Sequence, residues 1–251
     1  MSEPKLPQAT LGKTGIITSI LGFGTAGLGL DYGLGDDSPP SYRDGLSLLF
    51  TAWREGVRFF DTAPTYGPAE AMLGKCRLGL SDGGTLATKV SPLMRIGTPD
   101  SPLACPGSLF ETAILSARIS QLNLGQPVLP LVQIHSPVVE QIQDDRLARI
   151  LKRDGLARRV GVSVYDFWEA LTAIQTGLYD TIQVPFNLLD QRMAKEVFPA
   201  AQAAGVGIIL RSALLKGALT GRGMTINPKW DKQIELIHAC QRARDLLGEG
   251  S

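Results

Sequence analysis

The sequence predicts an α/β fold of the (β/α)8 barrel type, and three observations favour it. Seven short segments are apolar almost throughout and have strand-forming composition. They alternate with segments whose apolar residues recur at helical spacing, and strands that are apolar on both faces are typical of a parallel sheet covered by helices. The length of 251 residues is close to the roughly 250 residues of such barrels. We therefore expect residues 1–251 to form a single barrel domain.

The predicted strands lie at regular intervals along the chain. Helical periodicity is clearest around residues 110–117, 147–151, 193–204 and 230–247. An open, doubly wound sheet is the alternative, but it concentrates ligand contacts at one switch point, whereas here strand after strand ends on a polar residue. The predicted strands span residues 19–24, 57–61, 85–90, 129–135, 159–164, 181–186 and 206–210.

Two glycine-bearing features precede or begin the barrel. Residues 10–17 predict an N-terminal β-hairpin with Gly15 in its turn. The run Gly22-x-Gly24-x-x-Gly27 matches a dinucleotide-binding pattern. The glycines and prolines of residues 28–40 cannot form the phosphate-binding helix that this motif requires. We therefore interpret the run as a glycine-rich strand end and loop.

Composition excludes several classes of partner. With 25 Lys and Arg against 24 Asp and Glu the net charge is +1, without the basic excess of a nucleic-acid or membrane-surface binder. No uncharged apolar run approaches the ~20 residues of a membrane span, and the N-terminus lacks the apolar core of a signal peptide. Three widely separated cysteines predict no disulfide framework and no zinc or other metal site. We expect a cytoplasmic protein.

Four chemically active residues lie at or just past three successive strand ends. They are Asp61, Tyr66, Lys89 and His135. An ammonium near a phenol favours the phenolate, so Lys89 should lower the pKa of Tyr66 from its usual ~10, with Asp61 as counter-charge. A neutral His135 could donate a hydrogen bond to a carbonyl oxygen. Singly, each residue also has an ordinary structural explanation, but together they predict acid–base chemistry on a carbonyl group.

Short motifs around these four residues and further along the chain form a pattern that covers most of the sequence. They are Asp61-Thr-Ala-x-x-Tyr66-Gly67, Thr88-Lys89, Gln133-x-His135, Gly161-Val-Ser163, Gln183-x-x-x-Asn187 and Arg211-Ser212-x-x-x-x-Gly217. With these motifs the sequence resembles the aldo-keto reductase superfamily. The resemblance implies a (β/α)8 barrel that binds NADP(H) without a Rossmann motif, with Asp61, Tyr66, Lys89 and His135 as catalytic tetrad. By the same resemblance the cofactor contacts would be Gly24, Thr25, Ser163, Gln183, Arg211, Ser212, Leu214 and Gly217.

The sequence departs from the family pattern in three places. Val164 follows Ser163 where the family usually has Asn, and Arg211 stands where many members stack an aromatic ring on the nicotinamide. Beyond Gly221 neither an eighth strand nor a segment for the adenosine 2′-phosphate is recognisable. We therefore expect an incomplete barrel of about seven parallel strands, and NAD(H) as an alternative to NADP(H).

The expected function is oxidoreduction of an aldehyde or ketone, such as a sugar or another small polar carbonyl, with Tyr66 as general acid and base. A catalytically weak or inactive shortened barrel, acting as a binding or subunit protein, is the alternative. A Schiff-base role for Lys89 is a third interpretation, disfavoured because a lysine beside Asp61 should stay protonated. We expect a monomer or a weak homo-oligomer.

Overall fold

A computed structural model describes residues 5–34, 38–78, 83–90, 106–224 and 231–247. An antiparallel hairpin, β1 (Gln8–Thr10) and β2 (Ile17–Ser19), precedes a sheet of seven parallel strands. Each predicted strand is present; two have the predicted boundaries, and the boundaries of the others are shifted by up to three residues. The strands of the sheet are β3 (Gly22–Gly24), β4 (Phe59–Asp61), β5 (Thr85–Val90), β6 (Leu129–His135), β7 (Ala157–Ser163), β8 (Thr181–Pro185) and β9 (Gly207–Arg211).

Helices connect the strands and cover the outside of the sheet. Local sequence signals set several of their ends: Ser41 caps the first helix by accepting from the backbone N–H of Asp44 at 3.2 Å. Gly177 and Gly205 end later helices in the left-handed conformation that glycine adopts without strain. The helices are α1 (Tyr42–Arg54), α2 (Ala69–Cys76), α3 (Pro106–Leu124), α4 (Val139–Gln143), α5 (Arg146–Arg153), α6 (Phe167–Thr176), α7 (Val197–Ala204) and α8 (Asp231–Leu247).

The sheet is an incomplete barrel, as expected from the sequence. Its spatial order, β3-β4-β5-β6-β7-β8-β9, follows the chain, whereas a doubly wound sheet reverses direction at a switch point. Within the described residues β3 and β9 are the two edges of the sheet. One helix differs from its predicted range: residues 193–196 form a turn, and α7 begins only at Val197.

The inside of the barrel contains a small apolar cluster formed by Phe59, Ala87, Leu131 and Ile209. The hairpin covers one end of this cluster, because Leu11 packs against it and the Lys13 N–H donates to the Gly205 carbonyl at 2.8 Å. Since Gly205 lies just before β9, the hairpin closes the amino end of the strands. The polar residues lie at the opposite end, where the strands have their carboxyl ends.

The glycine-rich run after β2 forms no phosphate-binding helix. Between Gly24 and Tyr42 the described residues contain only a 3-10 turn, Ala26–Leu28. This agrees with the interpretation of a strand end followed by a loop. Among the helices that the structure describes, none combines the length and the apolar character needed to span a bilayer.

Candidate active site

The candidate residues follow from the register of the parallel strands. Gly24 pairs with Asp61, Lys89 with Gln133, and His135 with Ser163. Because the carboxyl ends of parallel strands meet at one rim, these side chains share one end of the barrel. We call this end the polar rim.

A buried ion pair lies at the centre of the polar rim. The Lys89 ammonium is 2.6 Å from Asp61 Oδ2, and the Lys89 side chain is 2% exposed. The same ammonium donates to the Thr62 carbonyl at 3.0 Å. A buried ammonium is costly unless it is paired and hydrogen-bonded, so these contacts hold the charge in place.

Asp61 is also held by two amides. Gln133 Nε2 and Gln183 Nε2 each donate to Asp61 Oδ1 at 3.0 Å, and the Ser163 hydroxyl donates to Gln183 Oε1 at 2.8 Å. The structure thereby joins Ser163 and Gln183 to the ion pair. Sequence reasoning did not assign a role to Gln133, although its position two residues before His135 places both on one face of β6.

Tyr66 lies in the loop after β4, half-buried beside the ion pair. Lys89 Nζ is 5.1 Å from the centre of the Tyr66 ring. Burial and the Asp61 carboxylate raise the pKa of Tyr66 above its ordinary value, and Arg211 only partly opposes them. The expected lowering of this pKa is therefore absent. The physical reason is that the Asp61 carboxylate opposes the effect of the Lys89 ammonium on the phenol, while burial penalises the phenolate.

His135 ends β6 and is partly buried. Burial, followed by the charges of Lys89 and Arg211, lowers the pKa of His135 to about 4. The imidazole is thus neutral at pH 7, as expected from the sequence. Its Nδ1 atom is buried and has no hydrogen-bond partner among the described residues.

Arg211, at the end of β9, stacks on an aromatic ring that sequence reasoning did not single out. Its guanidinium carbon is 3.5 Å from the centre of the Tyr165 ring, and Nη2 donates to the Val164 carbonyl at 3.5 Å. Arg211 Nε is buried without a partner in the described part of the chain. The two departures from the family pattern, Val164 and Arg211, are therefore in contact. The only sequence signal for Tyr165 was an aromatic residue two positions after Ser163, the polar residue that ends β7.

Gly24 and Thr25 lie beside Asp61 at the edge of the sheet. A Cβ on Gly24 would meet nothing within 4 Å, so space is open there. Thr25 is fully buried, and both its N–H and its hydroxyl donate to the Asp61 carbonyl, at 2.9 and 3.1 Å. The Thr25 side chain thus supports Asp61 in this structure.

The segment after β9 carries the other candidate contacts. Ser212, Leu215 and Lys216 have φ values of 58°, 46° and 55°, a left-handed conformation that strains residues other than glycine. Leu214 is exposed, and Gly217 donates its N–H to the Leu214 carbonyl at 2.9 Å. Strain of this kind clusters at ligand-binding segments.

The comparisons with known proteins agree with the fold. The model of the Aldo/keto reductase family matches residues 20–249. The chain is 27% identical to pyridoxal 4-dehydrogenase of Microbacterium luteolum over 96% of its own length and 81% of that protein. It is 28% identical to D-threo-aldose 1-dehydrogenase of a Pseudomonas species, over 90% of this chain and 78% of the relative.

A solved structure is similar over nearly the whole chain. A candidate aldo-keto reductase from Pseudomonas aeruginosa superposes with a TM-score of 0.67 at 26% identity. The match covers 96% of this chain and 95% of that protein.

Proposed function

Because the chain belongs to the aldo/keto reductase family, we propose that it interconverts a small aldehyde or ketone and the corresponding alcohol with a nicotinamide cofactor. The family supports oxidoreduction of carbonyls in general terms. The observation that carries the finer proposal is the buried Lys89 ammonium, 2.6 Å from Asp61 and 5.1 Å from the centre of the Tyr66 ring. This arrangement places a proton donor, the Tyr66 hydroxyl, beside a fixed positive charge, the Lys89 ammonium.

Tyr66 is the proposed general acid. When bound, NADPH or NADH supplies the hydride that reduces the carbonyl carbon. The Tyr66 hydroxyl then donates its proton to the substrate oxygen, and the Lys89 ammonium stabilises the phenolate that remains. The raised pKa of Tyr66 keeps this hydroxyl protonated at neutral pH. This favours carbonyl reduction, since alcohol oxidation requires the phenolate as base.

His135 and Asp61 are proposed to position these groups. The lowered pKa of His135 keeps the imidazole neutral, with one N–H that can donate to the carbonyl oxygen. Asp61 accepts from Lys89, Gln133 and Gln183, so its carboxylate is held in one orientation. These bonds keep the ammonium near Tyr66.

The side chains at the rim fit a nicotinamide. Its carboxamide needs one acceptor and one donor: the Ser163 oxygen can still accept, and Gln183 Nε2 keeps a second hydrogen beyond its bond to Asp61. Arg211 presents a buried Nε that has no partner among the described residues, and a flat guanidinium that can stack on a ring.

Further contacts to the cofactor are proposed for the ends of β3 and β9. They comprise the open space at Gly24 and the strained segment after β9. Thr25 would act through its support of Asp61. We propose NADP(H) as cofactor, with NAD(H) as the alternative. The residues proposed for the two strand ends are Gly24, Thr25, Ser212, Leu214 and Gly217.

The Schiff-base alternative for Lys89 has little support from the geometry. A lysine nitrogen that donates to Asp61 at 2.6 Å and to the Thr62 carbonyl at 3.0 Å is engaged in hydrogen bonds and is a poor nucleophile. Borohydride trapping of a carbonyl compound on the protein, with no nicotinamide added, would revive this alternative.

Replacing Tyr66 by Phe tests the proposed mechanism. Pyridoxal and aldoses are the first substrates to assay, since two relatives are named for them. Loss of the proton donor should lower turnover by ~100-fold or more. Tyr42→Phe, at an exposed tyrosine in α1, is the matched control. A Tyr66→Phe variant that keeps most of the turnover would contradict the role of Tyr66.

Titration with NADPH and with NADH tests the cofactor separately from turnover. The fluorescence of Trp168, which is exposed in the first turn of α6, provides the signal. Saturable quenching supports an enzyme and ranks the two cofactors. No binding of either would support the alternative of an inactive barrel that serves as a binding or subunit protein.

The remaining proposals concern the whole chain. We propose that residues 1–251 form one barrel domain, supported by a large apolar cluster whose members range from Leu28 to Val206. We also propose that the protein has no nucleic-acid or membrane partner, on the basis of its near-zero net charge. The three widely separated cysteines support a cytoplasmic protein, which we propose to be monomeric or weakly self-associating. Sedimentation over a range of protein concentrations tests the oligomeric state.

A further inference from the structure

Glu70 is a buried carboxylate that the mechanism above does not use. It lies in the first turn of α2 and is 1% exposed. Its Oε1 atom accepts from the Thr88 hydroxyl at 2.6 Å, and its Oε2 atom accepts from Asn123 Nδ2 at 3.2 Å. Within the described part of the chain no cation forms an ion pair with Glu70. Among the described residues, its partners are therefore neutral donors.

The contact between Glu70 and Thr88 joins two residues that lie close in sequence to Tyr66 and Lys89. Thr88 directly precedes Lys89 in β5, and α2 begins three residues after Tyr66. Because successive side chains of a strand point to opposite faces, Lys89 faces the inside of the barrel while Thr88 faces the helices. The Ala69 N–H donates to the Tyr66 carbonyl at 3.2 Å, which ties the start of α2 to Tyr66.

A carboxylate at this buried position is energetically unfavourable. Burying a charge costs free energy that an apolar side chain of similar size would not cost, so Glu70 is poorly explained by stability alone. Unlike an apolar contact, a hydrogen bond has a preferred direction. The bond to Thr88 therefore fixes the position of α2 relative to β5, and the bond to Asn123 ties α2 to α3.

We propose that Glu70 is a positioning residue that sets the placement of the Tyr66 phenol relative to the Lys89 ammonium. This inference rests on the proposed function, in which Tyr66 is the acid and Lys89 stabilises its phenolate. A misplacement of about 1 Å at a reacting group can lower turnover roughly 100-fold, so a contact outside the rim can control the rate.

Three variants separate positioning from simple structural support. Glu70→Gln keeps an acceptor for Thr88. Its NH2 group can donate to Asn123 Oδ1 if the side-chain amide of Asn123 rotates by about 180°. Glu70→Leu removes both contacts, and Thr88→Val removes one while keeping the shape of the side chain. The control is Tyr179→Phe, which removes the buried hydrogen bond of 2.9 Å to the Ile142 carbonyl. Tyr179 lies just before β8, at the amino end of the strands.

The measurements are thermal stability, the Kd of the cofactor, kcat and KM for the carbonyl, and the pH dependence of alcohol oxidation. We expect Glu70→Gln to stay close to wild type. Glu70→Leu and Thr88→Val should lower kcat roughly 10-fold or more with little change in cofactor Kd. Their oxidation profiles should move to higher pH, because a less well placed ammonium stabilises the phenolate less. Tyr179→Phe should lose stability only.

The outcomes distinguish this inference from the function on which it rests. A wild-type protein without carbonyl turnover would overturn the proposed function, and this inference with it. If the wild type is active and Tyr66→Phe is not, folded Glu70→Leu and Thr88→Val variants with wild-type kcat and pH profile overturn this inference alone. Should Glu70→Leu fail to fold, the milder Thr88→Val decides.

Discussion

Gly29 packs directly against the backbone carbonyl of Tyr66. A Cβ on Gly29 would lie 2.3 Å from the Tyr66 oxygen, which is far inside van der Waals contact. The approach is reciprocal, because Gly67, at φ +54°, would place its own Cβ 2.8 Å from the Gly29 oxygen. The loop after β3 and the loop that carries Tyr66 are thus held together backbone to backbone, and only glycine permits the distance.

Gly29→Ala should therefore displace Tyr66. We expect kcat for carbonyl reduction to fall roughly 10- to 100-fold, because the proton donor no longer lies at the right distance from the substrate oxygen. Gly27→Ala is the matched control, since its Cβ would only touch Tyr32 at 3.9 Å. Equal kcat values in the two variants would show that this backbone contact does not position Tyr66.

Asp61→Asn should leave the buried Lys89 ammonium without its counter-charge. We expect a loss of about 3–5 kcal/mol in the free energy of unfolding, measured by urea denaturation. Combining Asp61→Asn with Lys89→Met removes the unpaired charge, so the double variant should be more stable than Asp61→Asn alone. A double variant that is less stable than the single one would contradict the view that the stranded ammonium is the main cost.

The lowered pKa of His135 predicts a specific dependence of stability on pH. In the unfolded chain the pKa of the His135 imidazole is near 6.5, whereas in the folded protein it is about 4, so the unfolded chain binds the proton more readily. Stability from this group is therefore complete above about pH 6.5, falls as the pH drops towards 4, and does not fall further below that.

Thermal unfolding of the wild type and of His135→Gln as a function of pH isolates this contribution. The carboxylates are the same in both proteins, so their effect cancels in the difference between the two Tm values. We expect the difference in Tm between the two to change between pH 4 and 6.5 and to be constant above. A difference that is independent of pH would mean that His135 titrates normally and is charged at mildly acidic pH.

The stacking of Arg211 on Tyr165 predicts coupled effects on cofactor binding. Arg211→Met and Tyr165→Leu should each weaken the binding of NADPH or NADH, and the double variant should be little worse than Arg211→Met. The expected coupling is about 0.5–1 kcal/mol, as for an exposed cation–π contact. Tyr165→Phe keeps the ring and should bind like wild type. Strictly additive losses would show that the two side chains act independently.

Much of the fold follows from local sequence patterns. Buried strands and amphipathic helices leave apolar periodicities that can be found without any structure, and strands β5 and β6 begin and end at their predicted residues. Residues 193–196 carry helical spacing but form a turn, with Met193 fully buried, because tertiary packing overrides a weak local preference.

The candidate site was only partly predictable. Asp61, Lys89 and His135 were recognisable because each follows or ends an apolar strand. The contacts of Gln133, Tyr165 and Glu70 were not, since their partners lie 72, 46 and 18 residues away along the chain. Such pairs have no local spacing that could reveal them.

The sequence by itself determined the class of fold, the order of the strands and the rim at which ionisable residues meet, because strand and helix periodicities and strand-end residues are local properties. The tertiary structure alone decided which atoms touch and what charge they bear. The pKa of Tyr66 illustrates the difference: an ammonium beside a phenol should lower it, yet burial and the nearby Asp61 carboxylate raise it. Those effects depend on distance and solvent exposure, which only the folded chain defines.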